Sequence, residues 1–157
     1  MAAALNLTAA DLRPLPLQVV STGLPYLIIP VTGAGLSRAR IVTDNLDARL
    51  AEVGARFVYV LDTDAREGRM WNNAGAVEDI ATGSAAGPAA AYLHRHKIAG
   101  SNERVNLTQG GFVGRPSSIT VARTTDGHLW VGGPVRPVAS GRLDTLPSVQ
   151  ASDSQQH

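Results

Sequence analysis

Two adjacent carboxylates and two nearby hydroxyls are the side chains in this sequence best suited to chemistry. Glu78 and Asp79 are followed by Thr82 and Ser84, with Gly83 between the two hydroxyls. In a site with little water, adjacent carboxylates favour different protonation states, so that one can donate a proton and the other accept one. The pair is therefore a candidate for general acid–base catalysis. The alternative is that Asp79 only caps the following helix and organises its loop.

A helix is predicted to begin at Ser84, directly after these polar residues. The backbone N–H groups of a first helical turn have no intrahelical acceptor and lie at the positive end of the helix dipole. They form a site that suits an anion, with an acid and two hydroxyls within reach. The sequence therefore predicts a pocket that binds an anionic group at this helix start.

The helix itself must be buried, because residues 84–93 carry no charge on any face. Its small side chains indicate that neighbouring backbone approaches it closely. Pro88 is expected to lie in the first turn, where its missing N–H costs nothing. Cationic residues arrive only at 94–97, where they suit the negative end of the dipole. We predict one central helix wrapped by a sheet, with its N-terminus facing the pocket.

The rest of the chain predicts short strands and one further helix. A single amphipathic helix is expected at 45–53, capped by Thr43 or Asp44 and ended by Gly54. A strand at 57–61 alternates only weakly, which predicts that both of its faces are covered. Strands are also predicted at 18–22, 25–31, 69–71, 104–108, 118–123, 128–131 and 135–138. This order predicts an α+β domain over residues 1–145, with a mixed or antiparallel sheet around the central helix, and a disordered tail at 146–157.

A glycine-rich segment at 31–37 resembles a dinucleotide-binding turn, but it lacks the third glycine of that fingerprint. The residues after it do not continue as an apolar-striped helix. We therefore predict an ordinary glycine-rich loop there, with nucleotide binding as the alternative.

Composition excludes several function classes. The 157 residues have a net charge of +1, with 17% charged residues and no cysteine. There is no basic run with interleaved aromatic residues, so nucleic acid is not an expected partner. No apolar run approaches the roughly 20 residues that span a bilayer, and no signal peptide is visible, so a cytoplasmic protein is expected. The absence of thiols excludes cysteine catalysis, cysteine zinc sites and disulfides.

Other polar residues favour structural roles over a site. His94 and His96 are two positions apart, so on a helix their side chains point about 200° apart and cannot share a metal ion. A solvated or dipole-paired role is expected for both, and a surface or edge position for His128. Arg115 could bind an anion or belong to a structural turn. Trp71 could form either a pocket wall or part of the core.

Four segments resemble the PhzF-like phenazine-biosynthesis isomerase family. They are residues 19–25 (Val-Val-Ser-Thr-Gly-Leu-Pro), 78–93 (Glu-Asp-Ile-Ala-Thr-Gly-Ser-Ala-Ala-Gly-Pro-Ala-Ala-Ala-Tyr-Leu), 114–117 (Gly-Arg-Pro-Ser) and 131–133 (Val-Gly-Gly). The resemblance covers residues 5–143. It implies a diaminopimelate epimerase-like fold, in which two similar domains each wrap a sheet around a helix and the site lies between them. It also implies that this chain is the second of those domains, without the first-domain glutamate that serves as acid and base.

The resemblance assigns roles to individual residues. Asp79 is similar to the family's second-domain active-site aspartate, with Glu78 as a possible second group. Ser84, with the N–H groups near Gly83 and Ala85 and with Thr82, is similar to the cradle for the substrate carboxylate. The family usually has a proline where Ile80 stands. It usually has a Phe-Ala-Pro-like run at 71–73, where Trp71 and Asn73 would here form part of a different pocket wall.

These features lead to two function hypotheses. The first is a cofactor-independent and metal-independent isomerase of secondary metabolism, which moves a proton next to a carboxylate or carbonyl. Such an enzyme would complete its site as a homodimer or with a separately encoded first half. The second is a non-catalytic module that binds small carboxylic acids, which the missing glutamate favours. A truncated gene would account for the same sequence.

Overall fold

Seven strands form one sheet in which the spatial order equals the order in the chain. The computed structural model describes residues 1–142 and 144, so the predicted tail at 146–157 lies outside the described residues. The strands are β1 (Gln18–Ser21), β2 (Pro25–Val31), β3 (Phe57–Asp62), β4 (Glu67–Arg69), β5 (Val105–Gln109), β6 (Ser117–Arg123) and β7 (Leu129–Gly132). The helices are α1 (Gly33–Arg38), α2 (Leu46–Glu52) and α3 (Gly83–Arg95), with 3₁₀ turns at Ala2–Leu5, Ala9–Asp11 and Gly111–Val113.

The sheet is mixed, as the sequence predicts. Strand pairs β2–β3 and β4–β5 are parallel, and the other four neighbouring pairs are antiparallel. The long helix α3 contacts strands near both edges of the sheet, β1 and β2 on one side and β6 and β7 on the other. A flat sheet could not reach one helix from both edges, so the sheet curls around α3. This is the predicted central helix.

Small residues allow the sheet to approach α3 closely. Helix α3 carries four fully buried alanines: Ala85, Ala86, Ala89 and Ala90. Gly87 lies against Thr22, where an added Cβ would come within 2.8 Å of the threonine hydroxyl. An uncharged helix of small residues therefore serves as the core of the curled sheet.

A second layer covers the convex face of β2 and β3. It is built from α1, α2 and the N-terminal segment, which bury Leu5, Leu36, Leu46 and Leu50. The two strands consequently face apolar cores on both sides, which confirms the prediction for residues 57–61. Along β3, Tyr59 points to the α3 side, whereas Val58 and Val60 point to the second layer, as alternation along a strand requires.

Some sequence predictions about local structure are wrong. Residues 33–38 form a helix rather than a loop, because the Thr32 hydroxyl accepts a hydrogen bond from the Gly35 N–H and caps it. Residues 135–138, which the structure describes, form no strand; Val135 and Val138 are 85% and 95% exposed, so neither face has a core to cover. Pro88 lies in the second turn of α3, since this helix begins at Gly83.

The predicted helix at 45–53 is present as α2, but its N-cap residue differs from the prediction. Asn45 occupies the N-cap position instead of Thr43 or Asp44, and its side-chain oxygen is bonded by Thr43 and Arg49 rather than by the helix backbone. Gly54 follows the last turn with a φ of +73°, which confirms its predicted role in ending the helix.

Gly68 in β4 is required by close packing rather than by backbone conformation. A Cβ there would overlap the hydroxyl and ring of Tyr59, which is fully buried. We therefore expect Gly68→Ala to lower the free energy of unfolding by about 1–3 kcal/mol, the usual cost of overpacking a core. Urea unfolding measures this change. Gly100→Ala is the matched control, because a Cβ there meets only Glu103 side-chain atoms at 3.6 Å. Equal stability of the two variants would contradict the prediction.

Candidate active site

Asp79 lies four residues before the first residue of α3, and its side chain faces the helix start. One carboxylate oxygen, Oδ2, accepts a hydrogen bond of 2.7 Å from the Thr82 hydroxyl, and Oδ1 accepts one of 3.3 Å from the Ala81 N–H. Its backbone N–H donates to the Met70 carbonyl at 2.8 Å, which ties it to the segment that follows β4. The carboxylate is therefore oriented but only partly buried, which leaves it accessible to a small molecule.

The first turn of α3 presents free N–H groups beside this carboxylate. Within the described ranges, the N–H groups of Gly83 and Ser84 have no protein acceptor. The Ala85 N–H differs, because it donates to the Thr82 carbonyl at 3.1 Å. The Ser84 hydroxyl lies 2.7 Å from the Tyr26 hydroxyl. Free N–H donors are thus present at Gly83 and Ser84, where the sequence predicts an anion cradle, while Ala85 contributes no free donor.

A cavity of about 830 Å³ opens beside this helix start. Apart from the Ala81–Gly83 turn, its walls come from the β6 and β7 side of the sheet and from the segment that follows β7. The lining residues are Ala81, Gly83, Thr108, Pro116, Ser117, Ser118, Ile119, Val131, Gly132, Gly133 and Pro134. Most of this surface is apolar, so the cavity suits a molecule with an apolar body whose anionic end reaches Gly83.

Glu78 points away from the helix start. The segment around it is extended and pairs with Trp71, so Glu78 and Asp79 project to opposite sides. Both oxygens of Glu78 are held by Arg69, at 2.8 Å from Nε and 2.7 Å from Nη2. The two side chains are 9% and 10% exposed. The structure therefore engages Glu78 in a buried bidentate ion pair instead of presenting it with Asp79.

The structure also places Trp71 and Asn73 away from the cavity. Trp71 is buried in the second layer, where Arg69 stacks on its ring at 4.7 Å. The Asn73 amide donates to the Asp47 carboxylate and to the Arg56 carbonyl, near the start of α2. Neither residue lines the cavity beside Gly83, and neither contacts the helix start; Asp79 and Ser84 do not line the cavity either, but they adjoin Gly83 through the turn that begins α3.

Gln109 is a polar residue at this site that sequence reasoning missed. It is 1% exposed at the end of β5, and its amide nitrogen donates to the Asp79 carbonyl and to the Thr82 hydroxyl, both at 2.8 Å. Ser117 supports the same turn by donating to the Ile80 carbonyl at 2.7 Å. The one available signal was the alternation of β5, which places Gln109 on the same buried face as Val105 and Leu107.

The other polar residues agree with their predicted roles to different degrees. His128 is exposed, as expected, and the Arg115 side chain is exposed on a turn whose backbone N–H bonds the Gly110 carbonyl at 2.9 Å. His96 bonds Gln18 of β1 at 2.9 Å. His94 lies in the last turn of α3, where the predicted dipole-paired role applies, and its two ring nitrogens are buried without a partner among the described residues.

Over residues 1–142 and 144, no three His, Asp or Glu side chains are grouped so that they could hold a metal ion. In the same part of the chain, no helix is long and apolar enough to cross a membrane.

Comparison with known proteins identifies relatives of this site and fold. The family model described as phenazine biosynthesis-like protein matches residues 1–132. A trans-2,3-dihydro-3-hydroxyanthranilate isomerase of Pseudomonas chlororaphis is 37% identical over 56% of this chain and 28% of its own length. The uncharacterized isomerase YddE of Escherichia coli O157:H7 is 33% identical over 77% of this chain and 44% of its own length.

A solved structure, described as a predicted epimerase from Pseudomonas aeruginosa, shares the fold. It is 53% identical with a TM-score of 0.83, over 92% of this chain and 51% of that chain. The family and the epimerase-like α+β fold that the sequence predicts are therefore confirmed. The chain spans only about half of that structure, and less than half of the two isomerases just described.

Proposed function

This chain belongs to the phenazine biosynthesis-like family, and we propose that it carries one half of the active site of a small-molecule isomerase. The observation that carries the proposal is the Asp79 carboxylate, oriented by Thr82 beside the free N–H groups of Gly83 and Ser84. A proton-transfer group and an anion site are thus held a few residues apart at one helix start. Relatives named as isomerases and an epimerase support this class of reaction.

The proposed reaction moves a proton between two carbons of a small carboxylic acid. Asp79 removes a proton from the carbon next to a carboxylate or carbonyl, and the electron pair of the broken C–H bond delocalises into that group. In a substrate with a C=C bond next to the deprotonated carbon, the proton then returns to the far carbon of that bond, and the double bond moves one position toward the carboxylate or carbonyl. The N–H groups of Gly83 and Ser84 hold the negative charge of the substrate. The step consumes no electron acceptor, and we propose that it proceeds without a metal or organic cofactor.

We propose that a second chain completes this site. Glu78 is engaged by Arg69, so the second acid–base group has to come from elsewhere, and the chain corresponds to about half of its relatives. The partner is either a second copy in a homodimer or a separately encoded first half. We place the reaction in secondary metabolism, by analogy with the phenazine name of the family.

The test is deuterium incorporation from heavy water into candidate acids, followed by NMR. The first probe is trans-2,3-dihydro-3-hydroxyanthranilate, after the name of a relative. Light scattering on the same sample gives the native mass, to be compared with 16.4 kDa for one chain. Exchange by a species of twice that mass is the expected result. Absence of exchange into every acid tested, by a dimer or by the chain mixed with a first-half domain, would overturn the proposal.

A non-catalytic module that binds small carboxylic acids is the second candidate. The observation that favours it is that Arg69 engages both oxygens of Glu78, so the second carboxylate of the pair is not presented with Asp79. It predicts saturable binding of small carboxylates, detected by calorimetry, without deuterium incorporation. Loss of binding on introducing an acidic side chain by Gly83→Asp would locate the ligand at the helix start.

A further inference from the structure

A chain of buried hydrogen bonds runs beneath Asp79. It begins at Tyr59 on β3, passes through Gln109 on β5 and reaches Thr82, whose hydroxyl donates to Asp79. Tyr59 is fully buried, and Gln109 and Thr82 are nearly so. These residues come from two strands and the loop before α3, so the network fastens the loop to the sheet.

The hydrogen bonds of this network determine which atom of the Gln109 amide accepts and which atom donates. The Gln109 oxygen accepts from the Tyr59 hydroxyl at 3.2 Å and from the Thr82 N–H at 3.4 Å, so the amide nitrogen is the atom that faces the turn. That nitrogen donates to the Thr82 hydroxyl, whose single proton is then directed to Asp79. Burial, and to a lesser extent the charge of Asp79, raise the pKa of the Tyr59 phenol, which therefore remains a donor.

Gln109 also holds the backbone of Asp79 directly. Its amide nitrogen donates to the Asp79 carbonyl at 2.8 Å, and the Ser117 hydroxyl is 3.2 Å from the Gln109 carbonyl. Gly110, the next residue, has a φ of +83°, and a Cβ there would overlap the carbonyls of Ile80 and Arg115. Gln109 thus fixes the Asp79 carbonyl directly and the Asp79 carboxylate indirectly, through the Thr82 hydroxyl.

We propose that Gln109 is the positioning residue that sets the direction of the Asp79 carboxylate toward the substrate. The inference rests on the proposed function, because it assigns a role in aiming the group that moves the proton. Gln109 itself touches neither the substrate nor the reacting atoms. Its contribution is to restrict Asp79 to one side-chain conformation, and small displacements of a reacting group reduce rates strongly.

The test compares Gln109→Met with the control Tyr92→Phe. Methionine keeps the length of the side chain without its hydrogen bonds, while Tyr92→Phe removes one buried hydroxyl that bonds the Pro16 carbonyl outside this network. We expect Gln109→Met to lower kcat for deuterium exchange by about 10- to 100-fold, with KM within about threefold, and Tyr92→Phe to change neither. Three-bond NMR couplings that report χ1 of Asp79 should indicate one rotamer in the wild type and averaging in Gln109→Met.

The outcomes separate this inference from the proposed function. An unchanged Asp79 rotamer or an unchanged kcat in Gln109→Met would overturn the positioning role. If the wild-type chain catalyses no deuterium exchange into any acid, the proposed function fails. The NMR couplings of Asp79 then test the positioning role of Gln109 by themselves. If Gln109→Met does not fold, Thr82→Val replaces it, because it removes the same link to Asp79. Thr82→Ser should then restore the single rotamer, and averaging in both threonine variants would contradict the role of the network.

Discussion

Asp79→Asn is expected to lower the rate of deuterium exchange by about 10²- to 10⁴-fold, the range that one general acid–base group contributes. Asparagine has the shape of aspartate and can still accept the Thr82 hydroxyl hydrogen bond, but it cannot take a proton from carbon. The cradle at Gly83 and Ser84 is unaltered by this change. The Kd for a carboxylate ligand should therefore change far less than kcat.

The control for this prediction is Asp44→Asn, which makes the same chemical change at an exposed position away from the cavity. It should leave both exchange and binding at wild-type values. Measuring kcat and Kd for both variants by NMR and calorimetry separates chemistry from binding. Wild-type turnover in Asp79→Asn would remove Asp79 from the mechanism and assign the proton transfer to another group.

Glu78→Ala is expected to lower the free energy of unfolding by about 3–5 kcal/mol, because it leaves Arg69 buried without its partner. The guanidinium lies between the rings of Trp71 and Phe112 and also bonds the Leu36 carbonyl, so it cannot reach water without disturbing the second layer. Chemical denaturation measures the loss. Glu103→Ala, in the more exposed pair with Arg66, should cost much less.

The double variant Arg69→Met with Glu78→Leu tests the cause of that loss. Removing both charges together leaves no unpaired ion, so it should recover much of the stability that Glu78→Ala loses. Deuterium exchange by Glu78→Ala, measured at a temperature where the variant is folded, separates its stability from any role in proton transfer. Exchange rates near wild type would show that Glu78 has a structural role only. A loss of rate as large as that of Asp79→Asn would show that Glu78 takes part in proton transfer.

The architecture could be predicted from the sequence because burial leaves a periodic or compositional signal. A helix with no charge from Ser84 to Leu93 has to be enclosed, and weak alternation at 57–61 requires cover on both faces. The start of α3 also identified Asp79, Thr82, Gly83 and Ser84 as one group, since these residues are close in sequence and their geometry follows from a single helix start. The strand predicted at 135–138 failed because its valines have no core to face.

Only the tertiary structure decided which polar groups work together. Glu78 and Asp79 are adjacent in sequence but project to opposite sides, and Arg69 engages the first in the second layer. Gln109 reaches the Asp79 turn from 30 residues away, through the parallel pairing of β4 with β5 that brings these segments together. Hydrophobic patterns report whether a position is buried, but they carry no information about its hydrogen-bond partner. That partner depends on how the sheet curls around α3, which is settled by the packing of the whole chain.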